Sequence, residues 1–205
     1  MPRYSSQQKA VLDALMRDQV YGHALEIIAS EGLPALTLDR LARRIGVSRG
    51  NLYNYFADRE AIIDFIEART FEPLIDDVAR IADGDTSAAA KLEAIATMIL
   101  TAVRDNLTLV VALSPEKFRR RDKRSHLRRR ERGLGLFRQV FREGIESGEF
   151  RELPPDLLSE VFYATITGLV DNMASSGEFW RPEEIVPTLM AIYQRGLESG
   201  KGMIR

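Results

Sequence analysis

The chain has 205 residues, with 29 lysines and arginines against 30 aspartates and glutamates for a formal charge of −1, so any contact with an anionic partner must come from local placement rather than a global basic excess. It lacks cysteine and has only two histidines, His23 and His126, which excludes a disulfide framework and a thiolate metal site; neither a metal nor a cofactor is expected. The polar start Met1-Pro2-Arg3-Tyr4-Ser5-Ser6 is no signal core, and Leu92 to Val103, broken by Glu93, is shorter than the roughly twenty apolar residues a bilayer demands, so a cytoplasmic protein without a membrane partner is expected.

No segment alternates strictly between apolar and polar, so an all-α fold is predicted. A helix starts at Thr37 with Leu41 and Ile45 facing inward and Ala42 small where another helix crosses. Gly46 can take the left-handed conformation that stops this helix, and Val47 folds back onto the apolar face. Ser48 caps the next helix, where Leu52, Tyr55 and Phe56 form an apolar back and Arg49, Gly50, Tyr53 and Asn54 a polar front. That is a helix-turn-helix with a front suited to a DNA major groove. From Arg40 to Arg59 five arginines, Arg40, Arg43, Arg44, Arg49 and Arg59, face a single acidic residue, Asp58, enough for a phosphate-attracting patch.

A fourth helix leaves near Asp58 with Ile62, Phe65 and Ile66 inward, and Pro73 is expected to interrupt it. Ala82 to Thr86 is a turn, after which Ser87 caps a helix expected to reach Leu113, with Leu92, Ile95, Ile99 and Val103 on one stripe and Ser114-Pro115 closing it. Lys117 to Arg132 is crowded with basic residues. It reads as a solvated face with Asp122 and Glu131 paired locally, or as an anion site, and only weakly as a membrane-surface element. Further helices cover Ser125 to Ser147 and Asp156 to Ser175; the last opens at Arg181-Pro182 with a bend at Pro187, and the tail from Ser199 is frayed. The run Val161 to Val170 is uncharged on every face, which suits either a central core helix or one packed on both its own core and a partner. Ala164 and Gly168 would admit a close partner helix, with Val161 and Thr165 beside them and Val186, Leu189, Met190 and Tyr193 forming an apolar stripe on the last helix.

From about Val20 to Ile66 the chain resembles the tetracycline-repressor (TetR) family of bacterial transcriptional regulators. The resemblance is carried by Ala24-Leu25-Glu26-Ile27-Ile28-Ala29-Ser30-Glu31-Gly32, the helix starting at Thr37, Gly46-Val47-Ser48-Arg49-Gly50-Asn51-Leu52-Tyr53, and Phe56 followed by a basic-acidic pair. Arg59 stands where the family usually has lysine, Tyr55 where it often has histidine, and Leu38 replaces a common second hydroxyl. The resemblance implies an N-terminal three-helix DNA-binding domain, residues 1–60, and a larger helical effector-binding and dimerisation domain, residues 61–205. It also implies a homodimer whose final two helices pair across a two-fold axis, placing two recognition helices about 34 Å or a multiple apart on a palindromic double-stranded operator. Ser48, Arg49, Gly50, Tyr53 and Asn54 would meet the groove, with Thr37, Arg43, Arg44 and Arg59 on phosphates. An unidentified small-molecule effector would occupy the larger domain, among Met98, Thr101, Phe141, Tyr163 and Thr167, with Phe137, Phe162 and Trp180 nearby. The alternative is an all-α enzyme or interaction module with an incidental two-helix corner. Against an enzyme, the chain has no Gly-Lys-Ser/Thr phosphate loop, no His-Glu-x-x-His and no Gly-x-Ser-x-Gly.

Overall fold

The computed structural model describes residues 5–113, 123–176 and 180–197, without the side chains of 123–126. No strand forms among them. The helices are α1 (Ser6–Glu31), α2 (Leu38–Ile45), α3 (Arg49–Tyr53), α4 (Arg59–Ala82), α5 (Ala88–Asp105), α6 (Leu107–Ala112), α7 (Lys123–Glu146), α8 (Pro155–Ser176) and α9 (Pro182–Leu197), with a 3-10 turn at Leu33–Ala35. The described residues fall into two compact units, 5–70 with 108–113, and 71–107 with the described part of 123–197.

In the first unit α1 begins with a reciprocal cap: the Ser5 hydroxyl accepts from the Gln8 amide at 3.2 Å, and the Gln8 side chain accepts from the Ser5 amide at 2.9 Å. Val20, Ala24, Ile27 and Ile28 of α1 are buried with Leu36, Leu38, Leu41 and Leu52, and with Ile62, Ile63 and Ile66 of α4. The unit reaches Thr70, where the first turns of α4 are tied to α1: the Tyr21 and Thr70 hydroxyls lie 3.0 Å apart, and Arg69 meets Asp18 at 2.6 Å.

The second unit is built on an aromatic cluster. The Phe162 ring of α8 meets Phe137 at 5.1 Å, Phe141 at 5.9 Å and Tyr193 at 5.3 Å, all edge-on, a geometry that adds quadrupolar attraction to the area buried. Leu92, Ile95, Leu100 and Val103 of α5, a helix that packs on α7 and α8, are buried as well. The amino end of α5 is held by Ser87, whose hydroxyl accepts from Ala90, and by Glu149, whose carboxylate accepts from the amides of Ala88 and Ala89 at 2.8 and 2.9 Å. A negative group there also complements the helix dipole. Lys91, 2 % exposed, is offset by the Glu143 carboxylate at 2.7 Å.

Several sequence expectations change. Pro73 does not interrupt α4, which continues from Arg59 to Ala82; burial of the residues on either side, including Ile66 and Val78, outweighs the roughly 3 kcal/mol a helical proline costs. The helix from Ser87 does not reach Leu113 but stops at Asp105. The Asn106 amide nitrogen of the side chain donates to the Ala102 carbonyl at 2.9 Å, a local bond that competes with helix continuation, and α6 restarts after it. Val186, Leu189 and Met190, expected at a dimer interface, are buried in their own chain at 3, 6 and 3 % exposure, because the apolar stripe of α9 packs against α5. Tyr193 and Thr165 likewise bond each other at 2.9 Å within the chain. Trp180 is 41 % exposed and lies outside any helix. Ser114-Pro115, the start of the basic segment and the tail from Ser199 lie outside the described residues.

Candidate nucleic-acid interface

The turn between α2 and α3 is set by local chemistry. Thr37 caps α2, its hydroxyl accepting from the Arg40 amide at 3.2 Å. At the other end Gly46 adopts φ 82° and ψ 26°, and the amides of both Gly46 and Val47 donate to the Ala42 carbonyl at 3.0 Å. A Cβ at Gly46 would find nothing within 4 Å, so glycine is required there by the backbone angle and not by crowding. Ser48 then caps α3, accepting from Asn51 at 3.2 Å. Leu52, fully buried, anchors the back of α3 against a core that includes Leu41 and Ala42 at 0 and 2 % exposure.

The opposite face is open: Arg49, Gly50, Asn51, Tyr53 and Asn54 are all exposed. Arg49 is organised on it. One terminal nitrogen donates to the Tyr53 hydroxyl at 2.8 Å, the other to the Asp39 carboxylate at 3.0 Å, and the guanidinium sits 5.3 Å from the centre of the Tyr53 ring. The Tyr53 hydrogen bond and then the Asp39 charge hold the Arg49 pKa above its ordinary value, so it is a permanent cation.

The arginines of α2 line an open surface depression of ≈ 470 Å³ formed by Arg40, Arg43 and Arg44. They are partly paired: Arg40 with Glu31, Arg44 with Glu26 and Glu31 at 3.6 and 3.7 Å, and Arg43 through a bond from Nε to the Asp39 carbonyl at 3.3 Å. Arg59 is turned inward. Its Nε donates to the Leu36 carbonyl at 2.6 Å and one terminal nitrogen to the Leu33 carbonyl at 2.7 Å, while the other lies 3.4 Å from Glu60. The family resemblance implies a phosphate contact for this residue; its hydrogen bonds here clamp α4 to the 3-10 turn. Tyr55 is half-buried, and burial, then a hydrogen bond with Asp13, raises its pKa; Leu38 is a core residue. Sequence reasoning missed Asp39, Glu26 and Glu31 as partners of the arginines, since the turn brings Asp39 to Arg49 and the packing of α1 on α2 brings the two glutamates to Arg40 and Arg44.

In the second unit, Phe141 lies wholly inside the aromatic cluster, whereas Met98, Thr101, Tyr163 and Thr167 are partly exposed. The Thr167 hydroxyl donates to the Tyr163 carbonyl of its own helix at 2.8 Å, and Arg130 stands 5.6 Å from the centre of the Tyr163 ring.

A capped helix pair joined by a left-handed glycine, with an apolar back and an exposed front bearing an organised arginine, defines a helix-turn-helix DNA-binding regulator, here followed by a separate helical unit. Residues 22–65 match the sequence profile of bacterial regulatory proteins of the tetR family, and residues 85–197 that of the tetracyclin repressor-like C-terminal domain. The chain belongs to the TetR family of transcriptional regulators. Among its relatives, the nucleoid occlusion factor SlmA of Vibrio vulnificus (strain YJ016) is 27% identical over 190 residues, covering 88% of this chain and 90% of that protein. The HTH-type transcriptional repressor KstR2 of Mycolicibacterium smegmatis is 25% identical over 199 residues, covering 92% and 94%. Among solved structures, the fold is shared with the regulator FadR of Bacillus subtilis in complex with stearoyl-CoA, at a TM-score of 0.74 and 20% identity, covering 87% of this chain and 97% of that one. No helix among the described residues is long and apolar enough to cross a membrane.

Gly50 tests the exposed front without disturbing the back. An added Cβ there would come no nearer than 4.0 Å, to the Ser48 hydroxyl, so Gly50→Ala is expected to leave the fold intact and to raise stability by up to about 1 kcal/mol through helix propensity. If α3 lies in a groove, the same methyl group is expected to weaken DNA binding. A melting curve and a binding titration on one preparation check both halves.

Proposed function

We propose that the protein is a ligand-responsive transcriptional repressor that binds a palindromic double-stranded operator as a homodimer and is released by a small-molecule effector. The observation that carries this reading is the exposed front of α3, where Arg49, Gly50, Tyr53 and Asn54 project from a helix fixed by Leu52 and Ser48. Arg49 is the base reader, since a guanidinium can bond two acceptors of a guanine edge. Arg43, Arg44 and Thr37 supply backbone contacts, Arg44 by exchanging surface carboxylates for phosphates, a trade between exposed charges that costs little.

The dimer reading is supported by the outer face of α8. Leu157 and Val161, 60 and 48 % exposed, continue through Ala164 and Gly168 as one exposed stripe at helical spacing, and Ile192 of α9 is 67 % exposed. The effector is assigned to the second unit, among the partly exposed Met98, Thr101, Tyr163 and Thr167 and the buried Phe141, of which Tyr163 and Phe141 meet the aromatic cluster. Stearoyl-CoA is a suitable first probe because the structurally similar FadR was solved with it.

The test is selection of duplexes from a random pool, followed by titration of the selected operator. A palindromic consensus is expected, with Arg49→Ala costing about 1–3 kcal/mol and relaxing preference at one base pair in each half-site. Recovery of no consensus would remove the operator reading, and equal weakening on operator and random DNA would reassign Arg49 to phosphate.

A further inference from the structure

We infer that Asp39 is a specificity-determining positioning residue of the DNA-reading face, acting through Arg49. The inference rests on the proposal that Arg49 reads a base edge. Asp39 lies in the first turn of α2, a helix whose end is already capped by Thr37, and its carboxylate reaches across the turn to Arg49 at 3.0 Å. Both partners are more than half exposed, at 57 and 54 %, so their attraction is screened and contributes little to stability.

What the contact does is orient. A free arginine side chain samples many rotamers, but here the terminal nitrogens are held by acceptors on different helices, Asp39 on α2 and Tyr53 on α3, with the guanidinium carbon 5.3 Å from the centre of the Tyr53 ring. A planar group held at two corners samples fewer presentations, and the ordering entropy of binding falls for a ligand that fits the one it keeps. Each terminal nitrogen carries two hydrogens, so one on each remains to donate to a base.

The same carboxylate acts against the wrong target. It neutralises the one arginine at the start of the recognition helix and adds a negative charge where phosphates approach, so any mode that uses Arg49 merely as a cation is disfavoured. A specific complex recovers that loss through a bidentate base contact, whereas a random duplex does not. Asp39 therefore widens the gap between operator and random DNA at some expense in total affinity.

The test is Asp39→Asn, nearly isosteric and without the charge, titrated on the selected operator and on random duplex of equal length over a range of salt. Random-duplex binding is expected to tighten with a salt slope steeper by about one, and the operator-to-random ratio to fall about tenfold, the scale of one charge-assisted hydrogen bond. In an Arg49→Ala background the effect of Asp39→Asn on the ratio is expected to vanish. An unchanged ratio and slope in Asp39→Asn, or an effect that survives removal of Arg49, would overturn the inference while leaving Arg49 as reader. If Arg49→Ala by itself leaves the ratio intact, the base-reading proposal falls and this inference with it.

Discussion

Gly168→Arg is expected to give a chain that folds normally and no longer holds operator DNA. Gly168 lies on the exposed face of α8, and a Cβ built there meets nothing within 4 Å, so the chain's own packing offers no reason for a substitution to do harm. If Leu157, Val161, Ala164 and Gly168 pack against a second copy, a guanidinium in the middle of that stripe must be buried unpaired in an apolar interface, which associating helices do not tolerate. A monomer retains one recognition helix and loses the second, tethered contact, which for linked sites contributes about 10²- to 10⁴-fold in affinity. Sedimentation should show a parent dimer and a variant monomer at micromolar concentration, with the same helical content by circular dichroism. A monomeric parent, or a Gly168→Arg dimer that binds operator as tightly as the parent, would move the interface off this face.

Arg59→Ala is expected to unfold the DNA-reading unit at a markedly lower temperature without changing how binding responds to salt. The residue donates charged hydrogen bonds to the carbonyls of Leu33 and Leu36, residues that are 6 and 0 % exposed. Hydrogen bonds from charged donors contribute about 1.5–3 kcal/mol each, and a loss of about 2–4 kcal/mol is a large part of the stability of a small domain. A melting point lower by roughly 10 °C or more is the corresponding scale. Arg59→Lys keeps the charge but cannot present two donors in a fixed fork, and is expected to fall between parent and alanine. The opposite outcome, an unchanged melting point with a salt slope lower by about one, would return Arg59 to the phosphate backbone.

The parts of the structure legible in the sequence were those decided within a few residues. Gly46 stops a helix because of its own backbone freedom, Ser48 caps one through an amide three residues on, and Leu41 and Leu52 follow the helical period. Periodicity shows that a face is apolar but not what covers it, and so Val186, Leu189 and Met190 were assigned to a partner when α5 of the same chain takes them. The inward bonds of Arg59 are hidden from the sequence for a related reason: a basic side chain beside a helix start looks alike whether it points to solvent or to carbonyls far back in the chain. Asp39 and Arg49 are partners only because the turn folds α2 and α3 together. Pro73 and Asn106 show the reverse error, in which a local rule was applied where packing or a side-chain bond had the larger effect.

The recognition helix itself is only five residues long. That is well below the roughly 12–15 residues at which an isolated helix begins to hold in water, so α3 has no existence apart from the caps and the buried Leu52 that pin it. Nucleic-acid affinity in this protein is therefore a readout of the integrity of its whole amino-terminal unit. Carriers of damage far from any base, in α1 or along the inner side of α4, would present as regulatory mutants, and a synthetic peptide copying the reading helix would be inert.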